Sequence, residues 1–294
     1  MDVNQLRYFK KVAELEHITR AAEELMVAQP ALSKTIKLLE KEVGVKLFDR
    51  KGKNIFLNEK GRVLLKYTNE ILTLMDNIKV EIDDLAKKEN KTVKVSIQAA
   101  TRLMPQLILG FKKKYPEIKV IIVQQDFEEG SDLQSDLYIY STCAPLKKEN
   151  GITLLEEECL LGLPENHKLA REKVVKIKDL KNEDFLILQN KMPLSQITKY
   201  CCRHAGFEPN IILECDSMST FLAFIEIGMG IAFIPSVTWD CSGHPSVRLL
   251  KVDSEKNKRY INICWREKQY LSNSAQLFRE FVVEFFEELR KEKP

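Results

Sequence analysis

The sequence lacks the features that announce a membrane, a secreted scaffold or an active site. No apolar run reaches the roughly 18 residues of a membrane span. The N-terminus starts directly on helix signals and Asp2 rather than on a leader, so a cytoplasmic protein with no membrane partner is expected. The seven cysteines are odd in number and include no Cys-x-x-Cys, which fits free thiols in a reducing compartment better than a disulfide framework. The four histidines, at 17, 167, 204 and 244, have no ligand spacing, and no structural metal or cofactor is expected. There is no Gly-x-Ser-x-Gly elbow, no Gly-x-Gly-x-x-Gly loop and no histidine that pairs with a nucleophile, so the chain does not read as an enzyme.

What remains is a chain of 294 residues, 44% hydrophobic and 30% charged, long enough for two or three domains with cores of their own. The net charge of +3 is unevenly placed. Residues 1–62 hold thirteen Lys/Arg against nine Asp/Glu, and the rest hold thirty-three against thirty-four, so the basic surplus belongs to the N-terminal region.

That region reads as a winged helix-turn-helix. Ala21-Ala22-Glu23-Glu24-Leu25 favours a helix whose small residues admit a close neighbour, with Thr19 as its N-cap. After a short turn, Pro30 suits the first position of a second helix, predicted over about 30–43. Its Leu32, Ile36, Leu39 and Val43 form one apolar stripe, while Pro30, Ser33, Lys34, Lys37 and Lys41 lie opposite, with Glu40 and Glu42 towards the flanks. An outward arc of hydroxyl and lysine groups without a carboxylate suits phosphates and base edges. Residues 46–57 then read as two short strands around a basic tip containing Gly52.

Asn58 can cap a further helix over about 59–87, roughly 40 Å long. Leu64, Ile71, Ile78 and Leu85 recur every seven residues with Tyr67 and Leu74 between them; Glu81 interrupts the second row and Ile82 takes over beside it. This spacing points to a dimerisation arm; the alternative is a long helix packed on its own domain.

The order of Thr19-Arg20-Ala21-Ala22, Gln29-Pro30-Ala31-Leu32-Ser33-Lys34, Leu47-Phe48-Asp49-Arg50 and Asn58-Glu59-Lys60-Gly61 resembles the LysR-type transcriptional regulators of bacteria, and the resemblance spans the whole chain. It implies an α/β fold class: a winged helix-turn-helix (1–59), a linker helix (60–89), and a two-lobe effector domain like the periplasmic binding proteins (90–294). Lobe I would be about 90–162 and 266–294, and lobe II about 163–265. Carried over with the motifs, the DNA-binding residues are Thr19, Arg20, Gln29, Pro30, Ala31, Ser33, Lys34, Lys37, Arg50, Lys51 and Lys53. The implied partners are a double-stranded DNA operator, a small-molecule effector, RNA polymerase, and further copies of the chain as a homodimer through the linker helix and a homotetramer.

Three departures stand out. Ala28 replaces the usual serine before Gln29-Pro30, removing a side-chain cap that contributes about 1 kcal/mol. Lys53 stands where the wing usually carries arginine, and Glu16-His17 replaces a common Gly-Ser. Lysine meets phosphate as a point charge and reads a base pair less rigidly than arginine, so the operator sequence stays open.

Beyond a polar hinge at 87–91, residues 92–98 alternate as a strand with Val93, Val95 and Ile97 on one side. A helix over 103–115, a fully apolar strand over 120–123 and another over 136–140 imply a βαβ unit with a buried parallel sheet. Strands over 185–188, 211–214 and 231–234 and helices over 194–204 and 221–227 imply a second lobe. The runs 228–235 and 164–170 resemble matching segments of the family's effector domain. In such sheets ligands sit at the carboxyl ends of the strands. The residues placed there are Ala100, Thr101, Arg102, Gln125, Gln189, Asn190, Ser217 and Met218, the resemblance favouring Thr101, Gln125, Asn190 and Ser217. Each hydroxyl has an alternative as a helix cap, and Arg102 and Lys191, which suggest an anionic effector, have one as solvated surface charges. The aromatic stripe over 277–289 is read as core packing on the first lobe, with a partner groove as its alternative.

Two other functions compete with this one. A solute-binding module would need no carboxylate-free basic helix face. Redox sensing through Cys201-Cys202 or Cys143 meets the difficulty that neighbouring cysteines in a helix cannot readily bridge each other.

Overall fold

The computed structural model describes residues 1–51, 54–85, 91–123, 135–189, 192–266, 268 and 270–292. The chain divides into two units, the first built mainly on Met1–Asn90 with Glu267–Asn273, the second on most of the remainder.

In the first unit, α1 (Val3–Leu15) starts at a capping box in which Asp2 accepts from the Gln5 N–H and the Gln5 side chain accepts from that of Asp2. Then come α2 (Ile18–Glu24) and α3 (Gln29–Val43). An antiparallel pair, β1 (Phe48–Lys51) and β2 (Asn54–Leu57), follows with Phe48 opposite Leu57. Phe9, Val12, Ala21, Ala22, Leu32, Ile36, Leu39, Leu47, Phe48 and Ile55 make one core. Ala21 and Ala22 are buried in it, as their size suggested.

Two local expectations are corrected. The cap of α2 is His17, not Thr19: Glu16 ends α1 in the left-handed region (φ 46°), which places the His17 ring so that Nδ1 accepts the Arg20 N–H at 3.2 Å. Thr19 is left in the first turn, exposed. On α3, the apolar stripe stops at Leu39, for Val43 is 40% exposed and Glu40 is buried in its stead. The Glu40 carboxylate accepts the Leu47 N–H at 2.9 Å and pairs with Lys46 at 2.8 Å.

The long helix α4 (Glu59–Leu85) starts where Asn58 Oδ1 accepts the Gly61 N–H at 2.9 Å. A Cβ on Gly61 would collide with the Leu47 carbonyl oxygen and the Leu57 side chain, so the helix can approach the wing base only with glycine there. Thr68 and Leu72 are buried on one face, while Val63, Tyr67, Ile71, Leu74, Ile78, Ile82 and Leu85 stay exposed. Of the heptad residues Leu64 packs partly on the core; the rest of the seam does not fold back onto its own domain. The returning chain is held to α4 by a contact that no motif announces: Asn77 donates to the Lys268 carbonyl at 2.6 Å and accepts the Tyr270 N–H at 2.8 Å. The hinge at 87–91 lies outside the described residues save for Lys91.

The second unit begins with β3 (Thr92–Ile97), α5 (Met104–Lys114), β4 (Lys119–Val123) and β5 (Leu137–Thr142). Next are β6 (Gly151–Pro164), β7 (Val174–Lys176), β8 (Asp184–Leu188), α6 (Pro193–His204), β9 (Asn210–Cys215) and α7 (Met218–Glu226). Last come β10 (Ala232–Pro235), β11 (Val247–Asp253), β12 (Lys258–Cys264) and α8 (Asn273–Glu292). β3 lies parallel to β4 and β5, as the βαβ reading required, and β12 runs antiparallel to β5 and β6. β4 is an edge strand with Ile122 48% exposed, so residues 120–123 are not the fully buried strand that their apolar run suggested.

β6 belongs to both lobes. Up to Glu158 it pairs with β12, and from Cys159 onward it pairs with β10 and then β11. β8 runs parallel to β9 and meets the segment before β10 at a Phe185–Ile231 bridge. α8 packs on the first lobe as read: Phe278 and Phe286 are fully buried, and the Phe111 and Phe278 rings lie 4.9 Å apart, edge to face.

Candidate functional site

Two regions carry the residues singled out from sequence. The first is the outward face of α3. Gln29, Pro30, Ala31, Lys34 and Lys37 are exposed and Ser33 is half-buried, so they form one surface together with exposed Thr19 and Arg20 at the start of α2. Ala28 provides no side-chain cap, consistent with the missing serine. The face is cleaner than the sequence implied, because Glu40 turns inward. Arg50 and Lys51 lie in β1, while Gly52 and Lys53, the tip of the wing, fall outside the described residues. Sequence reasoning missed Glu16, whose carboxylate accepts the Leu57 N–H at 2.8 Å and so fixes β2 to the end of α1. The Glu16-His17 departure was the available signal: one residue holds the wing and the other caps α2.

The second region comprises the candidate effector residues of the second unit, which follow the carboxyl ends of β3, β8 and β9. Ala100 is buried in the left-handed region (φ 57°) and precedes a 3₁₀ turn, Thr101–Leu103, that leaves Thr101 exposed. Arg102 is not a free surface charge. Its Nη1 donates to the Trp239 carbonyl at 3.0 Å and its Nε lies 3.4 Å from the Asp240 carboxylate, which joins the first lobe to the segment after β10. The Ser242 N–H, with a smaller contribution from Arg102, holds the Asp240 carboxyl below its usual range.

Gln189 is exposed at the end of β8, and its carbonyl accepts from the Met192 N–H and the Ser195 hydroxyl. Ser217 is the N-cap of α7, accepting the Thr220 N–H at 3.4 Å, so the capping alternative describes it. Met218 is only partly buried but packs against the Leu186, Phe221 and Ile234 cluster. Gln125, Asn190 and Lys191 lie outside the described residues.

The thiols do not favour redox chemistry. Cys201 and Cys202 are fully buried, and burial pushes each up to about 12, which keeps them protonated near neutral pH. Cys143 is exposed, its Sγ 3.6 Å from the Pro193 carbonyl at the start of α6; burial pushes it up, while the Arg259 charge pulls it down. Among the described residues no group of His, Cys, Asp and Glu could hold a metal ion, and no helix is long and apolar enough to cross a membrane.

Residues 3–62 match the model of the bacterial regulatory helix-turn-helix protein of the lysR family, and residues 88–287 match that of the LysR substrate binding domain. The chain is 30% identical to the transcriptional dual regulator GltC of Bacillus subtilis, covering 99% of both chains. It is also 30% identical to the uncharacterized HTH-type transcriptional regulator YybE of the same organism, covering 98% of this chain and all of YybE. Among solved structures it is similar to a full-length OxyR variant of Pseudomonas aeruginosa (21% identity, TM-score 0.61, 97% of this chain and 94% of that one). It is similar as well to full-length CbnR complexed with its target DNA (20% identity, TM-score 0.52, 97% of this chain and 100% of that one). These two likenesses concern the fold. The two family models together span nearly the whole chain, which therefore belongs to the LysR family of bacterial transcriptional regulators, with a DNA-binding helix-turn-helix followed by an effector-binding domain, and is not an enzyme.

Proposed function

We propose that the chain is a cytoplasmic, ligand-biased regulator acting as a dimer of α4 arms and assembling into a homotetramer. The observation that carries the dimer is the exposed row Tyr67, Ile71, Leu74, Ile78, Ile82 and Leu85 on a 27-residue helix. A seam of that length at heptad spacing is buried by a second copy of itself. Pairing sets two α3 helices in successive major grooves, with half-sites about 34–36 Å apart.

Gln29, Pro30, Ala31, Ser33, Lys34 and Lys37 read the groove, Thr19 and Arg20 meet the backbone, and Arg50, Lys51 and Lys53 carry the wing contacts. The likeness to CbnR, which was captured on its target DNA, supports this role for the first unit. The effector occupies the inter-lobe cleft near Ala100, Thr101, Arg102, Gln125, Gln189 and Asn190, with Ser217 contributing through the helix it caps and Met218 through packing. Its binding shifts the arrangement of the paired readers, to the extent that it prefers one arrangement over the other. RNA polymerase is the partner through which that shift reaches transcription. The domain limits proposed are 1–59, 60–89 and 90–294.

The test is a mobility shift on the DNA flanking the protein's own gene, combined with sedimentation of the Ile71→Glu/Ile78→Glu variant. A salt-sensitive shift that is lost when the variant becomes monomeric supports the reading. A monomeric wild-type protein, or DNA binding insensitive to salt, refutes it.

A further inference from the structure

Glu70, Asn77 and Asp84 recur every seven residues on α4 and so lie on one stripe about 21 Å long. All three bind the same short segment. Lys268 Nζ lies 2.8 Å from the Glu70 carboxylate. The Asn77 amide brackets the segment's backbone, donating to the Lys268 carbonyl at 2.6 Å and accepting the Tyr270 N–H at 2.8 Å. The Asp84 carboxylate accepts the N–H of Asn273 at 3.1 Å, at the first residue of α8, where a helix has donors without intrahelical partners and favours negative charge. Lys268 is in the left-handed region (φ 62°), a conformation that a residue other than glycine keeps only where its surroundings fix it. Leu271 and Ser272, between these contacts in the chain, are buried.

Residues 267–273 group with α4 in the first unit, while Arg266 before them and Ser274 after them belong to the second. The chain thus leaves the effector-binding domain after β12, grips α4, and re-enters at α8. Trp265, just before the crossing, is fixed within the second unit. Its N–H donates to the Asn150 carbonyl at 3.1 Å, its carbonyl accepts from the Asn150 side chain at 2.6 Å, and the Arg279 guanidinium of α8 stands 5.0 Å from its ring. At about 100° per residue the polar stripe borders the apolar row of Tyr67, Leu74 and Ile78 without overlapping it, so a second copy can cover the row with the segment in place.

We propose, resting on the reading of the chain as a ligand-biased DNA regulator, that residues 268–273 form a strap that couples the effector-binding domain to the α4 arm, with Asn77 as its fastener. Movement of β12 against α8 pulls on Lys268 and Asn273, and through them on α4 at three points from Glu70 to Asp84. Coupling of this kind is reciprocal, so DNA bound at α3 acts back on the strap, and DNA can replace the effector as the perturbation.

In full-length protein carrying Trp239→Phe, Trp265 is the single tryptophan, since the chain has two. Titration with a labelled fragment of the DNA flanking the protein's own gene follows binding by the anisotropy of the label and the strap by Trp265 emission. The expected result is an emission change that saturates together with the anisotropy. At saturating DNA, Asn77→Ala loses at least half of that change, whereas Lys79→Ala, exposed on the other side of α4, keeps it. If Asn77→Ala does not fold, Asp84→Ala carries the test with the same loss. A merely structural bond would lower the denaturation midpoint and leave the emission change intact. DNA binding without a Trp265 response, or a response that survives in the Asn77 or Asp84 variant that folds, overturns the strap and leaves the regulator reading standing. No rise in anisotropy with the wild-type protein refutes the operator reading, and the strap with it.

Discussion

Lys34 and Lys37 stand exposed on α3, and among the described residues neither forms an ion pair, unlike Lys46, which is tied to Glu40 at 2.8 Å, and Arg20, which lies 3.8 Å from Glu24. Two unpaired ammonium groups on a reading face should each neutralise one phosphate. Every such contact contributes about −0.9 to the slope of log affinity against log salt. For one dimer on a single pair of half-sites, and so two copies of α3 on the fragment, losing one lysine removes about 1.8 from the slope, and losing both removes about 3.6. Between 50 and 200 mM salt this makes Lys34→Ala or Lys37→Ala roughly tenfold less salt-sensitive than the wild type, and the double variant roughly a hundredfold less.

Fluorescence anisotropy on an operator fragment across that salt range measures the slope directly. Arg203→Ala is the control: it removes the same charge from an exposed pair with Glu208 in the other unit, at 2.7 Å. A change there as large as in Lys34→Ala would mean that net charge, not local contact, sets the slope. An unchanged slope in the double variant would refute the phosphate role of this face altogether.

Other perturbations read the packing. Thr68 on α4 is fully buried with its hydroxyl unpartnered among the described residues, so Thr68→Val should stabilise the first unit by about 1–2 kcal/mol in a denaturant melt. Gly61→Ala places a methyl against the Leu47 carbonyl and the Leu57 side chain and should cost about 1–3 kcal/mol, seen as a lowered midpoint with weaker DNA binding. Burial pushes the Asp136 carboxyl above its usual range, against the Lys94 N–H that it accepts at 2.8 Å. Its ionised form therefore costs stability at neutral pH, and that cost fades as pH falls through the raised value. Asp136→Asn should melt higher than wild type at pH 7 and alike near pH 3.

The helices of the first unit were legible because their apolar periods, Pro30, Asn58 and Gly61 are local signals. Glu40, read as flanking, and Thr19, read as the cap of α2, differ in the structure because the Leu47 N–H that Glu40 meets and the Arg20 N–H that His17 caps depend on where the wing base settles and how α1 ends. In the second unit β8, β9, α6 and α7 were visible as short periodic runs. β6 was hidden by Glu156-Glu157-Glu158, which reads as surface charge until β12 lies alongside and turns Glu157 inward against Arg259. The candidate effector residues are placed by strand ends alone. The contact of Arg102 with the Trp239 carbonyl joins residues that are distant in sequence and carries no spacing signal.

The acids of the first unit show why net charge understates its reading face. Glu40 is buried on Leu47, Glu16 accepts from Leu57, Glu24 pairs with Lys11, and Glu42 pairs with the N-terminal amine. These carboxylates are bound into structure, and two of them hold the wing. Simple electrostatics says that Glu40→Ala, by adding positive charge beside the DNA, tightens binding. The geometry says the opposite: the Leu47 N–H loses a charged acceptor worth about 1.5–3 kcal/mol, Lys46 loses its partner, and the base of β1 is freed. Glu40→Gln separates the two effects, since its amide oxygen can still accept from Leu47 while the charge is gone. The expected order of operator affinity at fixed salt is Gln at least equal to wild type, and Ala below both. An alanine variant that binds more tightly than wild type would show that Glu40 acts through its charge and not through the wing.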